Sequence, residues 1–228
     1  DMYYSRMSVA NAQELSNIIE KSMHYEQVLT DDVSYLGEAL LIAGVDSSWN
    51  PQVGQPAINY AHENHFTAEN GYTEIHKYLN SYSGCYDKLD EGVAFANYTA
   101  HGAVTGWGNP AFYNNDVNNL TNEGMYFLAI GNCCVAADFG ASVCFAEAMT
   151  RAPQKGAYAY IGSCPNTYWY EDYYWGVGAT NVYGRTPQVS ETTDGVYDAL
   201  NWDSAFNVVS SFHFFGNIAI CYAHDNNY

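Results

Sequence analysis

The 228-residue sequence predicts an α/β fold with a mostly parallel sheet and helices on both faces. Three observations carry that expectation. Four short apolar runs recur along the chain, helix-compatible segments separate them, and each run is continuous rather than alternating. Continuous apolar runs of this length suit strands buried on both faces, and strands joined through helices pair in parallel by right-handed crossovers.

Taken in order, residues 11–29 form an amphipathic helix. Asn11 is its cap, Glu14 completes a capping-box pattern, and Leu15, Ile18 and Ile19 make its apolar face. Strands follow at Ala39–Val45 (ALLIAGV), Val93–Tyr98 (VAFANY), Tyr126–Ile130 (YFLAI) and Ala157–Ile161 (AYAYI). Helices are expected at Gln55–Phe66, Cys144–Ala152 and Trp202–Tyr222. The Gly184–Gly195 stretch, with Pro187 and several Ser and Thr, reads as a mobile loop. No repeat, low-complexity tract or linker interrupts the chain, so one compact unit is expected.

Charge narrows the partners. Seven Lys and Arg against 25 Asp and Glu give a formal net charge of −18, which repels phosphate backbones and anionic lipid headgroups. Nucleic acid is therefore excluded as an expected partner. No stretch approaches the roughly 18 apolar residues that a membrane-spanning helix needs. The chain begins at Asp1 without a leader pattern, so a secretion signal would lie outside it. Six cysteines are too sparse for a small disulfide scaffold, and none sits in a C-x-x-C pair, so a cysteine zinc module is not expected.

In open parallel sheets chemistry gathers beyond the carboxyl ends of the strands. The first run ends in Asp46, the second in Thr99, Ala100, His101 and Gly102, the third in Asn132, Cys133 and Cys134, and the fourth in Ser163 and Cys164. A thiol nucleophile needs a base that holds it as thiolate and later protonates the leaving amine, and an imidazole does both. His101 and one of the paired cysteines supply those parts. The backbone N–H groups of Gly102 and of the cysteine can hold an oxyanion. Successive side chains of an extended segment point to opposite faces, so only one cysteine can meet His101, and the period leaves open which. Two plainer readings compete: cysteines that merely pack beside an ordinary loop histidine, or a strained vicinal disulfide.

The stretch Ser163–Trp175, SCPNTYWYEDYYW, sets Glu171 and Asp172 among five rings. A carboxylate between aromatic walls is costly to desolvate without a cation. A substrate lysine or arginine would supply one, its stem along the rings and its charge on the acid. The alternative is a solvated acidic turn with aromatics buried beneath it.

An apolar block ending in His-Gly, followed by a second ending in a cysteine, is similar to the signature of caspase-like cysteine peptidases. The match extends further. LLIAGVDSSWNPQVGQP, GVAFANYTAHG, YFLAIGNCC, KGAYAYIGSCPNTYW and EDYYWGVGA resemble the catalytic domain of the gingipain family, in its lysine-specific branch, over most of the chain. The resemblance implies a caspase-like three-layer α/β sandwich and a secreted or bacterial cell-surface endopeptidase that forms a thioester. It implies Cys134 as nucleophile, His101 as its partner, Asp46 as the acid near the histidine, and the N–H groups of Gly102 and Cys134 as oxyanion donors. It also implies Asp172 as the base of a lysine pocket and Trp169 as its wall. The chain departs at Tyr170, where that branch has a glycine. No cofactor is implied for catalysis, but calcium is, with Phe139 through its carbonyl, Glu147 and Asp1 as ligands. The expected partners are proteins or peptides with lysine at the cleavage site. On the same resemblance, residues 1–228 are one truncated catalytic subdomain, flanked in the family by further modules.

Overall fold

A computed structural model describes residues 5–27, 31–200 and 209–228. Its contacts gather into two compact units, one of Met7–Val45 and Tyr72–Thr167, the other of Asp46–Gly71 and Tyr168–Tyr228 with residues 5–6.

The first unit is built on a five-stranded sheet in the order β2-β1-β3-β7-β8, every pair parallel. The strands are β1 (Glu38–Ala43), β2 (Glu74–Tyr78), β3 (Phe95–Thr99), β7 (Phe127–Asn132) and β8 (Ala157–Gly162). All residues of β3 and β7 are buried, and β1 is buried from Ala39 onward, as continuous apolar runs require. Helix α1 (Ala12–Gln27) packs on α5 (Phe145–Arg151) and on β8, while α3 (Tyr82–Glu91) packs on β1 and β2. Asn11 caps α1: its side chain accepts from the Glu14 N–H at 3.0 Å, and Glu14 returns a bond to Ala10 N–H at 2.7 Å. Beyond β3 a small antiparallel sheet is formed by β4 (Gly102–Ala103), β5 (Gly106–Gly108) and β6 (Ala111–Tyr113), followed by α4 (Asn114–Asn119).

The second unit holds α2 (Gln55–Asn64), α6 (Trp169–Val177), α7 (Val196–Ala199) and α8 (Val209–Asp225), with α6 packed on the other three. A buried hub joins them. The Tyr60 hydroxyl donates to Asp198 at 2.8 Å, and Asp198 also accepts from the Gly195 N–H at 2.8 Å. The Gly184–Gly195 segment, expected as a mobile loop, is tied down by an Arg185–Glu191 ion pair at 2.7 Å and by the Gly184 N–H on the Gln52 carbonyl at 2.8 Å.

Each expected strand is present within a residue or two. The helix expected at Trp202–Tyr222 runs over Val209–Asp225, and residues 201–208 lie outside the described chain, as do 28–30 at the end of the first expected helix. Of the elements that were not expected, two have a plain physical reason. Strand β2 reads EIHKY, polar enough to escape an apolar-run criterion, because it is an edge strand with Glu74 and Lys77 left exposed. The Ser163–Trp175 stretch is not a turn from Trp169 onward but helix α6, whose residues Asp172–Val177 are all buried. A helix buried nearly all round shows no 3.6-residue alternation.

Candidate active site

The register of the sheet aligns three strand ends. Ala43 pairs with Thr99, and Thr99 pairs with Asn132. His101 and Cys134 therefore stand two residues beyond one shared rung of neighbouring parallel strands. The turns that carry them touch. A Cβ on Gly102 would lie 2.6 Å from the Cys133 Sγ and would collide with the Cys134 carbonyl oxygen. Only glycine allows the His-Gly turn to lie this close to the Cys-Cys turn.

His101 is exposed, and its backbone is pinned. The buried Tyr98 hydroxyl donates to the His101 carbonyl at 2.6 Å and accepts from the N–H groups of Asn109 at 2.9 Å and Gly108 at 3.2 Å. Burial pushes the Tyr98 phenol well above its usual range, so it remains a donor at all ordinary pH. Its ring stacks on Trp107, centroids 4.9 Å apart and nearly parallel.

The two cysteines have different surroundings. Cys133 is fully buried, whereas Cys134 is partly exposed, and all six cysteines are thiols. The Cys134 Sγ accepts from the Thr167 N–H at 3.4 Å and lies 3.5 Å from the Thr167 carbonyl and 3.8 Å from its hydroxyl. The next residue, Val135, is held at φ +48° with its N–H on the Pro165 carbonyl at 3.0 Å. A β-branched residue in the left-handed region is strained, and such strain persists only where the surroundings dictate it. Gly131, three residues before Cys134, admits the Tyr160 hydroxyl where a Cβ would collide with it.

Asp46 is half-buried just beyond β1. Its Oδ1 accepts from the N–H groups of Ser48 at 2.9 Å and Trp49 at 2.8 Å, which orders the loop that leads into α2. Asp172 is buried in the first turn of α6, where the helix N-terminus favours a carboxylate. Trp169 opens the same helix, within reach of Gly54. Glu171, its neighbour in sequence, faces elsewhere: it lines a cavity of about 260 Å³ with Tyr170, Tyr174 and His224, whose Nε2 stands 3.5 Å away. Tyr170 packs edge-on against Trp49, ring centroids 5.4 Å apart.

Glu147 does not fit an open calcium ligand as it is placed. Its Oε1 accepts from Ser8 Oγ at 2.5 Å and pairs with Arg151, and its Oε2 accepts from the Cys144 N–H at 3.0 Å. Calcium takes six to eight oxygens, and here the Arg151 guanidinium already supplies the positive charge. Phe139 lies half-buried on the segment after Cys134, and Asp1 is outside the described residues.

The parts that sequence reasoning missed are Tyr98, Thr167 and Val135. Tyr98 had a signal, a tyrosine three residues before the histidine at a buried strand end. The Thr167 contact had none, since it joins positions 33 residues apart.

Comparison with known proteins adds the family. The chain is 50% identical over 225 residues to Lys-gingipain W83 of Porphyromonas gingivalis, covering 98% of this chain and 13% of that protein. It superposes on a solved structure described as a protease with a TM-score of 0.96 at 49% identity, covering 99% of this chain and 50% of the other. The structure of the Arg specific cysteine proteinase gingipain R matches with a TM-score of 0.79 at 26% identity, over 97% of this chain and 50% of that one. The chain thus spans about an eighth of the first of these relatives and half of each solved chain. The model for peptidase family C25 matches residues 1–220, and the chain belongs to that family.

Proposed function

We propose that the chain is the catalytic part of a cysteine endopeptidase that cleaves proteins after lysine. The observation that carries this reading is the shared rung beneath His101 and Cys134, with the thiol partly exposed and its neighbour Cys133 buried. In this reading the Cys134 thiolate attacks the scissile carbonyl, and the backbone N–H groups of Gly102 and Cys134 receive the oxyanion. His101 then gives a proton to the departing amine, leaving a thioester that water hydrolyses. Asp46 supports His101. Asp172 receives the substrate ammonium, with Trp169 beside its stem.

Lysine is preferred to arginine in this reading for two reasons. The buried single acid of α6 suits a compact ammonium, and the chain is more similar to Lys-gingipain than to the Arg-specific structure. We place its action outside the cell, as the sequence resemblance implies; among the described residues no helix is long and apolar enough to cross a membrane.

Labelling with a lysyl chloromethyl ketone, followed by peptide mapping, tests the reading. The expected adduct is on Cys134, and prior lysyl peptide protects it. An adduct on Cys133 with Cys134 unmodified would overturn the assignment of the nucleophile, and lysyl peptides bound without turnover and unaffected by Cys134→Ala would replace the peptidase by a binding module.

A further inference from the structure

The amino ends of β1 and β2, at the opposite edge of the sheet from His101 and Cys134, carry a cluster that the proposed peptidase chemistry does not use. Glu38 and Glu74 are register partners in this parallel pair. Like charges facing each other across strands destabilise a sheet unless a cation lies between them. His76 stands two residues beyond Glu74, on the same face of β2, and is 8% exposed. Its Nε2 is 2.8 Å from the Glu38 carboxylate, a hydrogen bond in which Nε2–H donates.

A proton on Nε2 leaves the lone pair on Nδ1. That atom lies 3.6 Å from the Glu74 carboxylate. The gap is too long for a hydrogen bond, but close to the ~3.3 Å that separates two ligands of a tetrahedral ion with bonds of about 2.0 to 2.1 Å. One ligand atom from each of the three residues falls within 4.8 Å of the others. A carboxylate that orients an imidazole whose other nitrogen meets a metal is a recurrent arrangement in zinc sites. Lys88 of α3, a helix packed on both strands, is held by Glu91 at 2.6 Å. It can screen the acids without bridging them.

We propose that His76 Nδ1 and Glu74 bind a divalent transition-metal ion of the zinc class, with Glu38 fixing the imidazole tautomer and water completing the shell. Imidazole beside carboxylate selects such ions over calcium or magnesium. The bound ion fastens the edge strand β2 to β1 and relieves the repulsion between Glu38 and Glu74. It is independent of the peptidase reading and needs no activity to be seen.

The experiment uses protein alkylated at its accessible thiols, so that Cys134, Cys164 and Cys221 cannot take the metal. Zinc is titrated by calorimetry, and cobalt(II) absorption reports the coordination geometry. The expected result is one ion bound per chain, a tetrahedral cobalt spectrum and a rise in unfolding temperature with zinc. All three should be lost in Glu74→Gln, an exposed substitution that the fold tolerates, and in His76→Gln. Binding that survives Glu74→Gln, or zinc without effect on the unfolding temperature of the parent, overturns the proposal. So does a stability that rises on acidification alone with no zinc dependence, because a doubly protonated His76 would then be the cation between the acids.

Discussion

Thr99 and Asn132 are register partners between β3 and β7, and His101 and Cys134 each lie two residues beyond them. The hydrogen-bond ladder therefore delivers the proposed base and nucleophile to the same end of neighbouring strands, and the close approach at Gly102 brings their turns together. The first prediction concerns the two cysteines. Cys134→Ala should lower kcat/KM on a lysyl peptide by at least about a thousandfold. Cys133→Ala should leave most activity but lower the unfolding temperature, because it removes a fully buried group. Steady-state kinetics and thermal melts of both variants check this.

Tyr98→Phe removes the hydroxyl that holds the His101 carbonyl and two backbone N–H groups. Losing these hydrogen bonds around a buried ring should cost about 1–3 kcal/mol of stability. kcat should fall more than KM changes, since His101 is displaced rather than the lysine pocket. Denaturant unfolding and kinetics on the same preparation separate the two effects.

Val135 occupies a backbone region that glycine adopts without strain. Val135→Gly should therefore raise stability, or leave it unchanged, while kcat falls as the turn after Cys134 loosens. If both quantities drop together, Val135 matters for packing and its conformation stores nothing.

Asp172→Asn keeps the shape of a buried site and removes its charge. Discrimination of lysyl over norleucyl substrates should fall roughly a hundredfold or more, the scale of an uncompensated buried charge. Glu171→Gln, on the separate cavity with His224, should change this ratio little.

Lys21 is buried beneath α5, its ammonium donating to the Met149 and Lys155 carbonyls at 3.1 and 2.9 Å. Burial lowers its pKa from 10.5 to about 7. Between those values the unfolded chain holds the extra proton, so this group makes stability rise from about pH 7 to 10.5, and below pH 7 its burial cost is felt in full. Lys21→Met should remove that rise. Urea midpoints of parent and variant at pH 7 and pH 10 should converge differently, with the difference between them shrinking or reversing as pH increases.

The sheet was legible because β1, β3 and β7 are buried on both faces, which writes itself as a continuous apolar run, and because the half-buried β8 also reads AYAYIG. Strand β2 escaped for the converse reason: an edge strand presents Glu74 and Lys77 to its surroundings. Helix α6 escaped because Tyr173, Tyr174 and Trp175 are buried alongside Asp172, leaving no polar stripe to mark its period. His101 and the cysteine pair were legible as residues that follow apolar runs, since parallel strands deliver their carboxyl ends to one edge.

By itself, then, the sequence determined the layered α/β class, the strand ends that bear reactive groups, and the choice of histidine and cysteine as candidates, because side-chain burial and strand direction are local properties. Tertiary structure decided which cysteine is buried and which is partly exposed. It also set Ser8 against Glu147 and brought Glu38 to His76. Each of these depends on which strand or helix lies beside which, and a contact between positions tens of residues apart leaves no period in the chain.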